Sequence, residues 1–179
     1  ASTYTDNTGI ELIGSGEQAG TWGNTTNNNL KIIDRALNGS TTLTISGNTT
    51  LTTSDGTLSN GQFKIIILAG TPSSGFDLTI DPNDQQKWYF IKNSSGQTAT
   101  VKQGTGGTTG NGRAVAVATG LTSILFADGA GAGASISSIA PTDLVADPTP
   151  QLGGDLDTNG NAILFGSSKW AISLDTGDN

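Results

Sequence analysis

The stretch Gly14-Ser15-Gly16-Glu17-Gln18-Ala19-Gly20-Thr21-Trp22-Gly23 leads through an Asn/Thr cluster into Leu30-Lys31-Ile32-Ile33-Asp34-Arg35-Ala36-Leu37. Apolar side chains in the second segment recur at intervals of three and four residues, which predicts a short helix with one apolar face that requires burial. Everything after Gly39 is typical of β-structure. This segment therefore decides how the N-terminus joins a β-domain.

The helix has recognisable ends in the sequence. Asn28 or Asn29 is suited to cap its start, and Asn38-Gly39 is suited to end it in a left-handed conformation. A helix of two to three turns is marginal on its own in water. We therefore expect it either to pack on the β-domain or to bind a partner.

A resemblance rests on the same stretch. Residues Gly16 to Asn29 follow the order G-E-x-x-G-T-W-G-x-x-T-N-x-N and precede the helix. In this order and spacing, the segment from Gly9 to Leu30 resembles the opening of bacteriophage tail fibre proteins, especially those of phages that infect cyanobacteria. The stretches from Trp88 to Thr98 and from Ile124 to Gly129, with their Asn-x-Ser-Gly and Asp-Gly turns, resemble the small β-domains of phage fibres.

Several segments after the helix have strand patterns. Thr41 to Ile45 and Thr49 to Thr53 alternate around Gly47-Asn48, which predicts a β-hairpin. Gln62 to Leu68 and Lys87 to Lys92 are apolar on both faces, which predicts strands buried on both sides. The other strand candidates are Phe76 to Ile80, with one solvated face, Thr98 to Lys102, Ala114 to Val117, Thr122 to Phe126 and Ser135 to Ile139.

Regular strand spacing with turn signals between predicts a mainly β fold. We expect an antiparallel β-sandwich or jelly-roll-like domain with one short N-terminal helix, followed by a linker and the start of a fibre shaft. The predicted divisions are residues 1–38, an attachment segment of arm, Gly/Trp turn and helix; residues 39–140, the β-domain; and residues 141–179, a Pro-marked linker and shaft-like repeat.

The composition excludes several functions. The 179 residues include 26 Gly but no Cys, Met or His, so disulfides, thiolate metal sites and His-dependent hydrolytic triads are absent. The formal net charge of −7 argues against binding nucleic acid through its phosphates. No apolar run approaches the length of a membrane span, so we predict no membrane insertion.

Two sequence patterns resemble known binding sites only weakly. Asp155-x-Asp157-x-Asn159-Gly160 begins like a calcium loop, but its twelfth position is Gly166 rather than Glu, so a solvated turn is the better interpretation. Gly14-x-Gly16 lacks the spacing and the strand-helix-strand context of a nucleotide loop. We therefore predict no cofactor and no metal.

Carboxylates and aromatic residues also have structural interpretations. An acid/base pair for glycan cleavage would have to come from Glu11, Glu17, Asp77, Asp81 and Asp84, and no repeated aromatic platform surrounds them. Consecutive Trp88, Tyr89 and Phe90 are interpreted as core rather than as a sugar platform, because neighbours on a strand face opposite ways. We predict no catalytic residues.

The resemblance implies a non-enzymatic virion protein, the N-terminal portion of a tail fibre that anchors the fibre to the tail or baseplate. It implies a parallel homotrimer, with host glycan bound by a more distal region. The alternatives are a carbohydrate-binding adhesin or receptor-binding module, and the non-catalytic part of a tailspike depolymerase. The candidate tail-docking or trimer interface consists of Ile10, Leu12, Trp22, Leu30, Ile33 and Leu37.

Overall fold

The computed structural model of the protein describes residues 1–139. The predicted linker and fibre shaft, and the Asp155–Gly160 loop, lie outside the described residues. The N-terminal segment contains two short antiparallel strands, β1 (Thr3–Tyr4) and β2 (Glu11–Leu12), followed by the helix α1 (Trp22–Asn38).

The predicted start of the helix is wrong, and its predicted end at Asn38-Gly39 is in the right place but in the wrong conformation. The helix begins at Trp22, so Asn28 and Asn29 lie inside it rather than at its cap. Gly39 has φ −66° and ψ 139°, an extended conformation from which the chain passes directly into the next strand. A Cβ atom on Gly39 would lie 2.6 Å from Cα of Arg35 and 2.9 Å from Cδ1 of Phe63, so close approach and not a left-handed turn requires glycine there.

Nine further strands build two sheets. One sheet has the order β11-β10-β7-β5-β3 and the other has the order β4-β6-β8-β9. The strands are β3 (Ser40–Thr44), β4 (Thr49–Thr52), β5 (Ile65–Ala69), β6 (Phe76–Asp81), β7 (Lys87–Asn93), β8 (Ala99–Gln103), β9 (Ala114–Val117), β10 (Thr122–Ala127) and β11 (Ile136–Ser138).

The chain winds between the sheets. From β4 to β8 each strand lies in the sheet opposite to the strand before it, and each of β5 to β8 pairs in parallel with the strand two positions earlier. The winding stops at β9, which pairs antiparallel with β8, while β10 pairs antiparallel with both β7 and β11. The mainly β class and the single N-terminal helix are as predicted, but the strand pairing is mixed rather than wholly antiparallel.

The predicted hairpin is wrong for the same reason. Thr41 to Ile45 and Thr49 to Thr53 do form strands, but β3 pairs with β5 and β4 pairs with β6. Their inward side chains, Leu43 and Leu51, belong to the core from opposite sheets. The connection between them is therefore a crossing from one sheet to the other.

One apolar core lies between the two sheets, since buried side chains from both belong to a single cluster. The cluster consists of Ile45, Leu51, Ile66, Leu68, Phe76, Leu78, Ile80, Tyr89, Ile91, Ala99, Val101, Val117, Leu125, Ala127 and Ile136. Phe76, Leu78 and Ile80 point inward while their neighbours are more exposed, as predicted.

Two strands predicted to be buried on both faces are not. In β7 buried and exposed residues alternate strictly, with Tyr89 and Ile91 inside and Trp88 and Phe90 outside. In β5 the outward isoleucines are only partly covered. An apolar run thus lies on a strand with one open face, because no further layer covers it within the described residues.

Asn93, at the end of β7, is a fully buried and fully bonded polar side chain. Its Nδ2 donates to the carbonyls of Gln97 and Val117, both at 2.8 Å. Its Oδ1 accepts from the backbone N of Ser95 at 3.0 Å and from the Ser95 hydroxyl at 2.6 Å. The Asn-Ser-Ser-Gly turn therefore closes on itself and ties β7 to β9 of the opposite sheet.

We expect Asn93→Ala to lower the free energy of unfolding by about 2–4 kcal/mol, because it leaves several buried groups without partners. Ser94→Ala, at the exposed neighbouring position, is the control and should change stability by less than about 0.5 kcal/mol. Urea unfolding followed by far-UV circular dichroism measures both. Equal stabilities of the two variants would contradict this account of the turn.

Candidate docking surface

The face of α1 that packs on the protein is polar. Asn29 accepts from the backbone N of Glu11 at 3.0 Å and donates to the carbonyl of the same residue at 2.8 Å, so its amide pairs with β2 like another strand. Asn28 Nδ2 donates to the carbonyl of Gly56 at 2.7 Å. Ile32 is the one fully buried side chain of the helix.

The end of the helix is fixed by Arg35. Its Nη1 donates to the carbonyl of Ser59 at 3.2 Å, and its guanidinium carbon lies 4.5 Å from the centre of the Phe63 ring. The backbone N of Lys64 donates to the Arg35 carbonyl at 3.1 Å. The helix is thus joined to the sandwich by hydrogen bonds and one cation–π contact.

The glycine-rich turn before the helix is also ordered by polar contacts. Gln18, with φ 59°, donates from Nε2 to Glu11 Oε1 at 2.5 Å and accepts at Oε1 from the Thr25 hydroxyl at 2.5 Å. The N-terminal ammonium lies 2.7 Å from Oε1 of Glu17 and, through this contact, lowers the pKa of that carboxyl. The turn, β2 and α1 therefore form one N-terminal unit.

The predicted interface residues lie on the free side of this unit. Ile10 is partly buried beside β1, with its backbone N bonded to the Thr5 hydroxyl at 2.9 Å. The exposed fractions of the others are 50% for Leu12, 61% for Trp22, 58% for Leu30, 39% for Ile33 and 64% for Leu37. Within residues 1–139, the apolar stripe that the sequence predicts to require burial is thus left exposed.

The structure brings four of these residues together. Trp22, Leu30, Ile33 and Leu37 lie along one side of α1, within an arc of roughly 80° on an ideal helix. Leu12 lies apart from them, on β2. Trp22 is 61% exposed, so it is not a core residue of the part of the chain that the structure describes.

A second apolar surface covers the outer face of the five-stranded sheet. Trp88 and Phe90 are 46% and 39% exposed, and Trp88 packs against Phe126 with 5.0 Å between ring centres. The prediction that Trp88, Tyr89 and Phe90 are all core is therefore wrong for two of the three. Lys92 follows on the same face.

A pocket of about 140 Å³ is lined by residues of α1, of β7 and of the loop before β5, among them Ala36, Phe63 and Trp88. Lys87 borders it and is buried. Its Nζ donates to the Thr53 hydroxyl and, at 3.3 Å, to the carbonyl of Gly61. Burial lowers the pKa of Lys87 to about 7.

The carboxylates contact separate partners. Asp77 pairs with Lys102 at 2.6 Å, while Glu11 and Glu17 belong to the N-terminal unit. Asp6, Asp55 and Asp84 border an open depression of about 310 Å³.

Within residues 1–139, no group of three or more His, Cys, Asp or Glu side chains is arranged to hold a metal ion. No helix in that part of the chain is long and apolar enough to cross a membrane.

Sequence reasoning missed the residues that orient the helix. Asn28, Asn29 and Arg35 recur with Ile32 at intervals of three and four, which is the same period as the apolar stripe. That spacing was a usable signal, because a run of Asn inside a helix is unfavourable without tertiary partners.

In comparisons with known proteins, no family model, no curated protein and no solved structure matches the chain.

The buried Lys87 makes stability depend on pH. Its pKa is about 7 in the folded protein against an ordinary value of 10.5, so between these values only the unfolded chain carries the proton. The free energy of unfolding therefore rises with pH across this interval, by at most about 1.4 kcal/mol per pH unit. We expect Lys87→Met to remove this slope and to stabilise the protein most at pH 6.

Urea unfolding of both proteins at pH 6, 7.5 and 9 measures the difference. The methionine keeps the apolar stem of the lysine, and the Gly61 carbonyl keeps its bond from the Tyr89 hydroxyl at 2.7 Å. Lys31→Met, on the exposed helix surface, is the matched control and should leave the slope unchanged. A stability difference between Lys87→Met and the parent that is constant with pH would refute the assignment.

Proposed function

We propose that the chain is a structural, non-enzymatic virion protein, the N-terminal part of a phage tail fibre, located in the virion. In this role it anchors the fibre to the tail or baseplate as a homotrimer and supports host attachment, with host glycan bound by a more distal region. The sequence resemblance from Gly9 to Leu30 motivates the proposal.

The observation that carries it is the open apolar surface of the N-terminal unit. Leu12 and Trp22 are each at least half exposed, on a strand and a helix that polar contacts hold in place. An ordered apolar patch on a soluble protein usually marks an interaction site. Since the polar face of α1 is already used inside the chain, the apolar face is free for assembly.

Trp22→Ala tests the anchoring role. Because the side chain makes little contact within its own chain, we expect the thermal midpoint of the free protein to change by no more than about 2 °C. Attachment should fall sharply, because large aromatic anchors dominate interface energies. Attachment is measured by adding purified chain to fibre-free particles of the phage and quantifying the bound fraction after sedimentation.

Asn24→Ala is the control, since Asn24 is exposed on another side of the same helix. The control should attach like the parent chain. If Trp22→Ala also attaches normally, Trp22 does not anchor the fibre. If Trp22→Ala lowers the thermal midpoint by many degrees, the residue has a folding role and the open-surface argument fails.

One observation favours the carbohydrate-binding alternative. Trp88 and Phe90 present aromatic rings on an open sheet face beside the amide of Gln86 and the ammonium of Lys92. Aromatic faces combined with nearby polar groups suit sugar rings, which have an apolar side and hydroxyl groups. In this alternative the sandwich itself binds host glycan.

We expect a glycan-binding sandwich to lose at least about tenfold in affinity on Trp88→Ala, about 1.4 kcal/mol. Screening the chain on a glycan array and titrating the positives by calorimetry measures this loss. Trp22→Ala serves as the control with one aromatic side chain removed elsewhere. Absence of binding on the array, or equal affinities of the two variants, would exclude this sheet face as a glycan site.

A further inference from the structure

The pocket of about 140 Å³ beside α1 has a charge opposite to that of the whole chain. Within residues 1–139, its lining includes two lysines, Lys64 and Lys87, and no carboxylate, although the formal net charge of the chain is −7. Arg35 adds a third cation, because its guanidinium carbon lies 4.5 Å from the ring centre of Phe63, another lining residue. In the described part of the chain, none of the three cations forms an ion pair with a carboxylate.

Lys87 brings a hydrogen-bond donor to this pocket. Its side chain is 9% exposed, and Nζ donates to the Thr53 hydroxyl and, at 3.3 Å, to the Gly61 carbonyl. The Tyr89 hydroxyl donates to the same carbonyl at 2.7 Å, and Gly61, Lys87 and Tyr89 all line the pocket. An ammonium has three protons to donate, and within residues 1–139 Nζ has these two acceptors. The pocket wall therefore contains an amine with one bond unmade.

A buried ammonium normally has an anionic partner, because removing a charge from water is costly unless a counter-charge and hydrogen bonds compensate it. Both acceptors of Lys87 are neutral oxygen atoms, and burial lowers the pKa of its amine to about 7. An anion in the pocket would supply the missing counter-charge and accept the third proton. The charges therefore favour a ligand with a negative group.

The other lining residues limit the shape of that ligand. Ala36, Phe63 and Trp88 give the pocket apolar and aromatic walls. An apolar cavity of about 150 Å³ holds a benzene molecule, and this pocket has nearly the same volume. Aromatic walls also favour a ring through offset or edge-to-face contacts. A single compact ring therefore fits, whereas a nucleotide or an oligosaccharide is too large.

We propose that this pocket binds a small organic anion, a free carboxylic acid whose carboxylate is attached to a compact apolar body such as an aromatic ring. The carboxylate accepts from the Lys87 ammonium, and the ring lies among Ala36, Phe63 and Trp88. Neither fibre anchoring nor glycan binding on the outer sheet face requires this site. The proposal therefore goes beyond the proposed function and does not depend on it.

The groups around Lys87 leave it as the partner of the carboxylate. Tyr89 lies on its own strand, Lys64 comes from the loop before β5, and Arg35 comes from α1. Burial raises the pKa of the Tyr89 hydroxyl, which stays a donor. A separate depression shares no lining residue with the pocket but includes Thr53, the acceptor of Lys87. The carboxylates that border this depression are exposed, and they are Asp6, Asp55 and Asp84.

Binding should depend on pH, because the carboxylate requires the charged form of Lys87. With a pKa of about 7 in the free protein, the amine is mostly charged at pH 6 and only about 3% charged at pH 8.5. Affinity falls in proportion to the fraction of protein in the binding-competent form. We therefore expect the carboxylate to bind at least about tenfold more weakly at pH 8.5 than at pH 6.

Calorimetric titration of the full chain with benzoate at pH 6 tests the site. We expect one benzoate to bind with a Kd of about 0.1–1 mM, as suits a ligand of few atoms. Benzamide keeps the ring without the charge, and acetate keeps the charge without the ring, so each should bind at least about tenfold more weakly. Absence of benzoate binding up to about 10 mM would overturn the proposal. Equal affinity of either other probe would overturn it too.

Variants locate the bound benzoate. Lys87→Met keeps the apolar stem of the lysine, and it should weaken benzoate binding at pH 6 at least about tenfold and remove its pH dependence. Lys31→Met, on the exposed surface of α1, is the matched control and should bind like the parent. Ala36→Leu fills the pocket and should weaken benzoate and benzamide alike. Binding to Lys87→Met or to Ala36→Leu with the affinity of the parent chain would contradict the assigned site.

A readout from the unsubstituted chain covers the case in which Lys87→Met does not fold. With ¹³C-labelled lysine, the Cε resonance of Lys87 can be assigned through its backbone and followed with pH. Its midpoint should lie near pH 7 in the free protein and at least about 1 pH unit higher with saturating benzoate. An unchanged midpoint would overturn the role of Lys87. No phage particle or glycan enters these measurements, so their outcome is independent of the anchoring and glycan tests.

Discussion

The pair of hydrogen bonds between the Asn29 amide and the backbone of Glu11 decides which way the helix faces. A side-chain amide that both donates to and accepts from one residue reproduces the pairing of a β-strand, so it fixes the helix and β2 in rotation as well as in distance. Asn28 and Arg35 add further bonds from the side of the helix that carries Ile32. These contacts fix the rotation of the helix about its axis, and in this orientation the side chains of Leu30, Ile33 and Leu37 point away from the protein.

In this helix the polar side packs on the protein and the apolar side is exposed, which is the opposite of an ordinary amphipathic helix. A helix normally buries its apolar stripe because burial contributes about 25 cal/mol for each Å² removed from water. Here the helix packs on the protein through polar groups and Ile32. The apolar side chains of Leu30, Ile33 and Leu37 stay exposed to water, so their burial does not contribute to the stability of a single copy. Any surface that covers the stripe gains this free energy.

The sequence predicts where the strands lie better than it predicts which strands pair with each other. Strand positions follow from local alternation, and Phe76, Leu78 and Ile80 lie on the buried face as their spacing indicates. Pairing is non-local: the Gly47-Asn48 turn suits a hairpin, yet β3 and β4 diverge because each finds a parallel partner that arrives later in the chain. The apolar residues Trp88 and Phe90 were misplaced for a related reason. Apolar composition does not reveal whether a third layer exists to cover a sheet.

The candidate docking surface shows the same limit: local spacing predicts which residues share a helix face, but not whether that face is buried. The sequence identified Leu30, Ile33 and Leu37 correctly as one stripe, since helical spacing is a local property, but it placed Trp22 in the turn before the helix rather than on it. It did not indicate that the stripe is open, because that depends on Asn28, Asn29 and Arg35 finding backbone partners in β2 and in the loops that carry Gly56 and Ser59. A polar side chain becomes a packing residue only when the fold supplies an unpaired carbonyl or N–H at the right distance. Polar residues at helical spacing therefore pack this helix on the protein, and its apolar stripe stays exposed within the described residues.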